Sequence, residues 1–232
     1  CMYRGSISNW KTNLEFKAVP YFTIASPIDS TSFVFRNNTG KNGSNIIGTY
    51  KAKDKAHLNY SGSLLRTQID GIFDTDGKLQ YNEQTKQILY VYYYRNEFII
   101  ADNNGNLIKT GHTIDTITKA KIKVAELKDG SQRKMAAPPL MVNAGFSTYG
   151  SCLFIQSKIR GFYERGNVWE YGVVIDVYSL KKNTYLLSVP VFGSHNGKFK
   201  SFMVTGTHLY AIFGNTLMVY KIQDPLKKEM HD

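Results

Sequence analysis

The sharpest hydrophobic pattern in the chain runs from Gln87 to Thr116. Ile88, Tyr90, Tyr92 and Tyr94 alternate with Leu89, Val91 and Tyr93, so both faces of an extended segment carry apolar or aromatic bulk. A strand of this kind has to be covered on both sides. Arg95-Asn96 offers a tight reversal into Phe98-Ile99-Ile100. Asp102-Asn103-Asn104-Gly105-Asn106 offers a second one before Leu107-Ile108-Lys109, because Asn, Asp and Gly tolerate positive φ. The pattern predicts an antiparallel meander whose two faces both need partners.

Copies of the same unit supply those partners. Leu153-Phe154-Ile155-Gln156-Ser157, Val173–Tyr178 and Tyr185–Val189 repeat the three strands. His208–Phe213, Gly214-Asn215 and Leu217–Tyr220 form the tightest copy, and Ser32–Asn37 a weaker one. With Phe33, Leu89, Leu153 and Leu209 taken as equivalent, the steps are 56, 64 and 56 residues. A meander recurring at a near-constant step predicts radially repeated sheets, an all-β propeller, with a looser all-β sandwich as the structural alternative. The steps exceed the ~40–50 residues of an ordinary blade, so loops are inserted between strands.

The expected blades are residues 20–53, 64–116, 138–192 and 198–222 of a single domain spanning 1–232. The second is expected to open with a strand at Gln68–Phe73. Residues 51–63 read as a polar loop, 117–137 as an insertion ended by Pro138-Pro139, and 226–232 as a frayed tail. Residues 1–19 look like strand material and are expected either to close the fourth blade, by pairing with Leu209–Ile222, or to complete a neighbouring one.

Composition sharpens this picture in three places. The net charge of +11 raises the question of nucleic acid. The densest basic run, Lys119-Ala120-Lys121-Ile122-Lys123-Val124, alternates lysine with apolar residues, which reads as the solvated face of an edge strand, so nucleic acid is not the expected partner. No apolar run reaches the ~18 residues that cross a bilayer. Of the two cysteines, Cys152 falls in a strand and reads as a buried thiol, while Cys1 leaves open a lipid anchor on residues upstream.

Several spaced strings carry a family resemblance. They are Tyr94-Arg95-Asn96 followed by Phe98, Thr113-Ile114-Asp115-Thr116, Pro138-Pro139 with Val142-Asn143, Leu153-Phe154-Ile155 with Ser157 and Glu164, and Ile175-Asp176-Val177-Tyr178. Together, over about residues 64–222, they resemble uncharacterised bacterial proteins of the TolB-like six-bladed β-propeller class. The resemblance implies a propeller and export from the cytoplasm, to the periplasm or the cell surface. It brings no catalytic residues. Four blades are visible where six would be expected, so either two N-terminal blades are absent here or the ring is smaller.

Candidate chemistry is sparse. Asp74-Thr75-Asp76-Gly77 and Asp102–Asn106 resemble fragments of calcium loops, but both lack the distal glutamate and read as hairpin turns. His57, His112, His195, His208 and His231 are scattered, so no metal site and no cofactor is expected. Ser194-His195 lacks the G-x-S-x-G elbow of serine hydrolases. Binding residues are expected on exposed loops, namely Arg95, Asn96, Asp115, Asn143, Arg160, Glu164 and Trp169, where charge mixes with aromatic surface from Phe162 and Tyr163 beside Arg165. Trp169 and Phe162 packing the base of their own loop is the competing reading. The expected function is a non-catalytic extracytoplasmic binding or scaffold propeller with a glycan or protein partner. The alternative is a polysaccharide-cleaving enzyme using carboxylates such as Asp115 and Glu164 near a central channel.

Overall fold

The computed structural model describes residues 2–16, 19–52, 57–127, 132–164, 166–193 and 197–231. Strands β1 (Met2–Gly5) and β2 (Thr12–Phe16) form a hairpin. The first sheet is β3 (Ile24–Pro27), β4 (Ser32–Asn37), β5 (Ile46–Lys51) and β6 (His57–Ser61). The second is β7 (Gly77–Asn82), β8 (Gln87–Tyr92), β9 (Glu97–Ala101) and β10 (Leu107–His112). A hairpin of β11 (Val124–Leu127) and β12 (Gln132–Met135) separates this from the third sheet. That sheet comprises β13 (Asn143–Tyr149), β14 (Cys152–Ser157), β15 (Gly172–Ser179) and β16 (Thr184–Phe192). The fourth has three strands, β17 (Phe199–Val204), β18 (His208–Phe213) and β19 (Thr216–Lys221). Every pairing is antiparallel between sequence neighbours.

The alternation in β8 explains how the sheets stack. Ile88, Tyr90 and Tyr92 pack with Val34, Ile47, Leu79 and Ile99 against the first sheet, whereas Leu89 and Val91 pack with Phe98, Phe146, Leu153 and Ile155 against the third. Phe154, Ile175 and Val177 then meet Leu209, Ala211 and Phe213 of the fourth. Each fully buried Val, Leu, Ile or Phe contributes about 1.5–3 kcal/mol, so three such seams hold four sheets face to face. First strands sit side by side, β3 with β7, β7 with β13 and β13 with β17. Two serines stitch them: Ser26 Oγ accepts the Tyr81 N–H at 3.0 Å and Ser147 Oγ accepts the Val204 N–H at 3.0 Å. This is a β-propeller arrangement of meanders radiating from their first strands.

Several boundaries differ from expectation. The polar stretch at His57–Ser61 is the fourth strand of the first sheet, paired through Tyr50↔Leu58 and Gly48↔Tyr60. Gln68–Phe73 is not a strand, because two aspartates capture its backbone N–H groups before a sheet partner can. In the lysine run 119–124 only Val124 is in a strand, although Lys119, Lys121 and Lys123 are exposed and alternate with the less exposed Ala120, Ile122 and Val124, as expected. The tail expected to fray forms helix α2 (Asp224–His231), in which buried Met230 packs into the third-to-fourth seam and Glu229 meets Lys182 at 2.8 Å. Closure of the fourth sheet by residues 5–19 is also corrected: β1 pairs with β2, and β19 pairs with β18 alone. Ser6 and Lys11, closing the turn at Trp10, fold that segment back on itself. The outward face of the fourth sheet therefore exposes Met203, Leu217 and Val219. Among the described residues, no helix is long and apolar enough to cross a membrane.

Candidate functional site

Antiparallel order sends the starts of the first strands, the β8–β9 and β14–β15 connections and the end of β10 to one rim of the sheets. Arg95, Asn96, Asp115, Asn143, Arg160, Glu164 and Trp169 all lie on this rim. The structure gathers them into two groups.

The first group clasps the segment between the first and second sheets to the β8–β9 reversal, which Asn143 ties in turn to the third sheet. Asp74 is fully buried, and its carboxylate accepts the backbone N–H groups of Gln68, Ile69 (3.1 Å), Asp70 (3.1 Å) and Gly71 (2.6 Å). Burial alone would raise this carboxyl, but the Gln68, Gly71 and Ile69 N–H groups and the Asp70 side chain outweigh it and hold its pKa below the ordinary carboxylate value. Asp70 is raised, by burial first and then by its hydrogen bond to Asp74. Asp74 therefore organises residues 68–74 and lies in the expected turn, closed by the Asp76 N–H on Phe73 O at 3.1 Å, although this turn leads into β7 and joins no hairpin. The Arg95 guanidinium donates to the carbonyls of Asp74 (3.2 Å) and Arg66 (2.9 Å). It lies 3.6 Å from the Tyr92 ring centroid and 3.4 Å from Glu97 Oε2. Burial, against the opposing charge of Arg95, lifts the Tyr92 phenol to about 12. Asn143 Nδ2 donates to Tyr92 O (2.9 Å) and Arg95 O (3.1 Å), and Asn96 Nδ2 donates to Asp115 O (2.6 Å). The expected exposure of Arg95, Asn96 and Asn143 is thus corrected. All three are buried, because the β8–β9 reversal and the start of β13 lie between covered strands, where their polar groups serve neighbouring carbonyls.

The second group is the β14–β15 connection, which carries the short helix α1 (Gly166–Tyr171). Glu164 Oε2 accepts the Gly161 N–H at 2.9 Å and the Trp169 Nε1–H at 2.8 Å, while Arg160 Nε and Nη2 donate to Glu164 O at 3.2 and 2.8 Å. Trp169 is half-buried and tied to its own loop, whereas Phe162 and Tyr163 are 94% and 93% exposed. Asp115 accepts from Thr113 Oγ1 (2.5 Å) and the Ile117 N–H (2.9 Å). Beneath the loop lies buried Asp176, which accepts from Ser188 Oγ at 2.5 Å. Its pKa is raised by burial first, and the nearby charges of Glu164 and Asp115 push it further. Asp176 therefore lies within the electrostatic reach of two other carboxylates at the second-to-third seam. A small void of about 160 Å³ beside Glu164 is walled largely by Val168, Val174 and Pro190.

On the other side of the third sheet, towards the fourth, is a larger cleft of about 530 Å³ that sequence reasoning missed. Gln156, Lys158, Glu170, Tyr171, Lys198 and Phe199 line it, above Phe213. The available signal was Gln156 itself, a polar residue on the same strand face as Phe154 and Cys152 and therefore turned into a seam. Among the described residues no group of three His, Cys, Asp or Glu side chains could hold a metal ion. Asp102 closes the β9–β10 turn by accepting the Asn104 and Asn106 N–H groups at 2.8 and 2.9 Å. Cys152 is buried in the third sheet and forms no disulfide, as expected of it. Cys1, Arg165, Ser194 and His195 lie outside the described residues.

No family model matches the chain, and no match is found among curated proteins. Solved structures do resemble it. Hsv2 of Kluyveromyces lactis is 10% identical with a TM-score of 0.46, over 97% of this chain and 64% of that one. The β-propeller domain of the Trilobed protease from Pyrococcus furiosus is 11% identical with a TM-score of 0.44, over 96% and 76%. A glucose dehydrogenase is 9% identical with a TM-score of 0.41, over 93% and 87%. The chain spans less than two thirds of the length of the Hsv2 structure it matches.

Proposed function

We propose that the chain is a non-catalytic binding or scaffold β-propeller that works outside the cytoplasm, in the manner of the TolB-like proteins its sequence resembles, with a glycan or a protein as partner. One observation carries this reading: the polar groups of the rim are engaged in holding backbone. Asp74 serves four N–H groups, Arg95 two carbonyls, Asn143 two more, and Glu164 an N–H and an indole. Groups used in this way fix the shape of a surface, as recognition by a rigid scaffold requires. A glycan array followed by calorimetry on the hits tests it, and saturable binding without new reducing ends is the expected result.

A second reading, polysaccharide cleavage, is favoured by Asp176. A carboxyl with a raised pKa beside two other carboxylates is what a general acid needs. Turnover that disappears in Asp176→Asn, Glu164→Gln or Asp115→Asn would establish it over the first.

A further inference from the structure

The cleft between the third and fourth sheets has a chemistry that the clasps on the other side of the third sheet lack. Gln156 is only 6% exposed and lines the cleft, on the strand face that turns toward the fourth sheet. An amide facing an open cleft offers both a donor and an acceptor to whatever enters it. Lys158 and Lys198 stand exposed at the rim of the same cleft and form no ion pair among the described residues. Glu170 and Tyr171, from the end of α1, add a carboxylate and a half-exposed phenol ring, and Phe199 adds a second ring. The volume, about 530 Å³, falls in the range of small-molecule sites.

These groups select a class of ligand. An inorganic anion would use the lysines and leave the amide and the rings idle. A neutral sugar would use the amide, Glu170 and the rings but not the paired positive charge. A carboxylated sugar uses all of them: amines for the carboxylate, the amide and Glu170 for ring hydroxyls, and an aromatic face for the C–H face of the ring. We propose that this cleft binds a uronic-acid-type sugar, with Lys158 and Lys198 holding its carboxylate, Gln156 its hydroxyls and Tyr171 its apolar face. The proposal rests on the binding reading above and names its substrate class.

The test is titration calorimetry of the whole chain with digalacturonate, its neutral dimethyl ester, citrate and a hexaglutamate peptide. Digalacturonate is expected to bind at least tenfold tighter than the ester and than citrate, the difference shrinking as salt rises. Lys158→Gln and Lys198→Gln should each weaken it about tenfold, and Tyr171→Ser severalfold. Lys123→Gln, just before β11, should leave it unchanged. Gln156→Leu, checked for an unaltered melting temperature, should weaken acid and ester alike. Equal binding of acid and ester, or indifference to both lysine variants, would overturn the assignment. So would tighter binding of citrate or of the peptide. The same mixtures are followed for new reducing ends. Turnover would overturn the non-catalytic reading, and its loss in the Lys158→Gln variant would still support the cleft. A difference in affinity without turnover supports both.

Discussion

Replacing Asp74 by Asn tests the claim that a single buried carboxylate organises the loop that carries the rim. In the native chain Oδ2 accepts from Gln68 and Ile69 and Oδ1 from Asp70 and Gly71. An amide keeps one acceptor oxygen and turns the other position into a donor facing two N–H groups. Two buried donors then lose their acceptor, at about 1–3 kcal/mol each, so the expected loss is about 4 kcal/mol. With an m-value of about 2 kcal/mol/M, the urea midpoint falls by about 2 M. The effect carries a pH signature. The folded-state pKa of Asp74 is depressed, so its stabilisation is complete above the unfolded carboxyl value of about 4 and disappears as pH falls through the lower folded value. Asp70, raised in the folded state, contributes in the opposite sense: its stabilisation is present below the unfolded value and lost as pH rises through the folded one. Urea melts of the native chain, Asp74→Asn and Asp70→Asn from pH 7 down to pH 3 separate the two. A midpoint shift for Asp74→Asn below about 0.5 M, or an acid dependence identical to that of the native chain, would refute the reasoning.

Three further predictions concern other parts of the molecule. Arg95→Met keeps the packing stem but abandons the carbonyls of Asp74 and Arg66 and strands Glu97, and should cost about 3–5 kcal/mol in urea unfolding; a cost below about 1 kcal/mol would mean that the clasp is incidental. Gly150 has φ +56°, and a Cβ there would lie 1.9 Å from Met230 O, so Gly150→Ala should undock α2 and speed tryptic cleavage after Lys227 and Lys228; unchanged cleavage would contradict this docking. Leu217→Lys with Val219→Lys should leave the melting temperature within about 2 °C, since both side chains are more than half exposed; a large drop in melting temperature would mean that this face is covered.

The fold was legible in the chain because its meanders carry apolar residues at both parities. Ile88, Tyr90 and Tyr92 against Leu89 and Val91 announced a strand covered on two sides, and the sheets stack accordingly. What escaped depended on contacts made far along the chain. His57–Ser61 reads as polar loop because an outermost strand faces solvent along most of its length. Gln68–Phe73 alternates like a strand, but Asp70 and Asp74 cap its N–H groups from within, a local competition that periodicity does not register. The rim residues were legible as a set, because reversals and strand ends collect on one side of a meander. Their burial was not, since Arg95, Asn96 and Asn143 look like surface chemistry until the carbonyls they satisfy are seen. The cleft was invisible for a related reason: Gln156, Lys158, Glu170 and Lys198 come from different elements, and only the seam between two sheets brings them together.

The central claim is that this propeller binds acidic carbohydrate without cleaving it. The direct measurement is a time course in which a size ladder of oligogalacturonates is incubated with the protein, with mass spectrometry of the mixture and ultrafiltration of the bound fraction. Every oligomer is expected to keep its mass while a saturable share stays with the protein. Shorter oligomers accumulating with time and disappearing in Asp176→Asn or Glu164→Gln, or no retained share at any length, would contradict it.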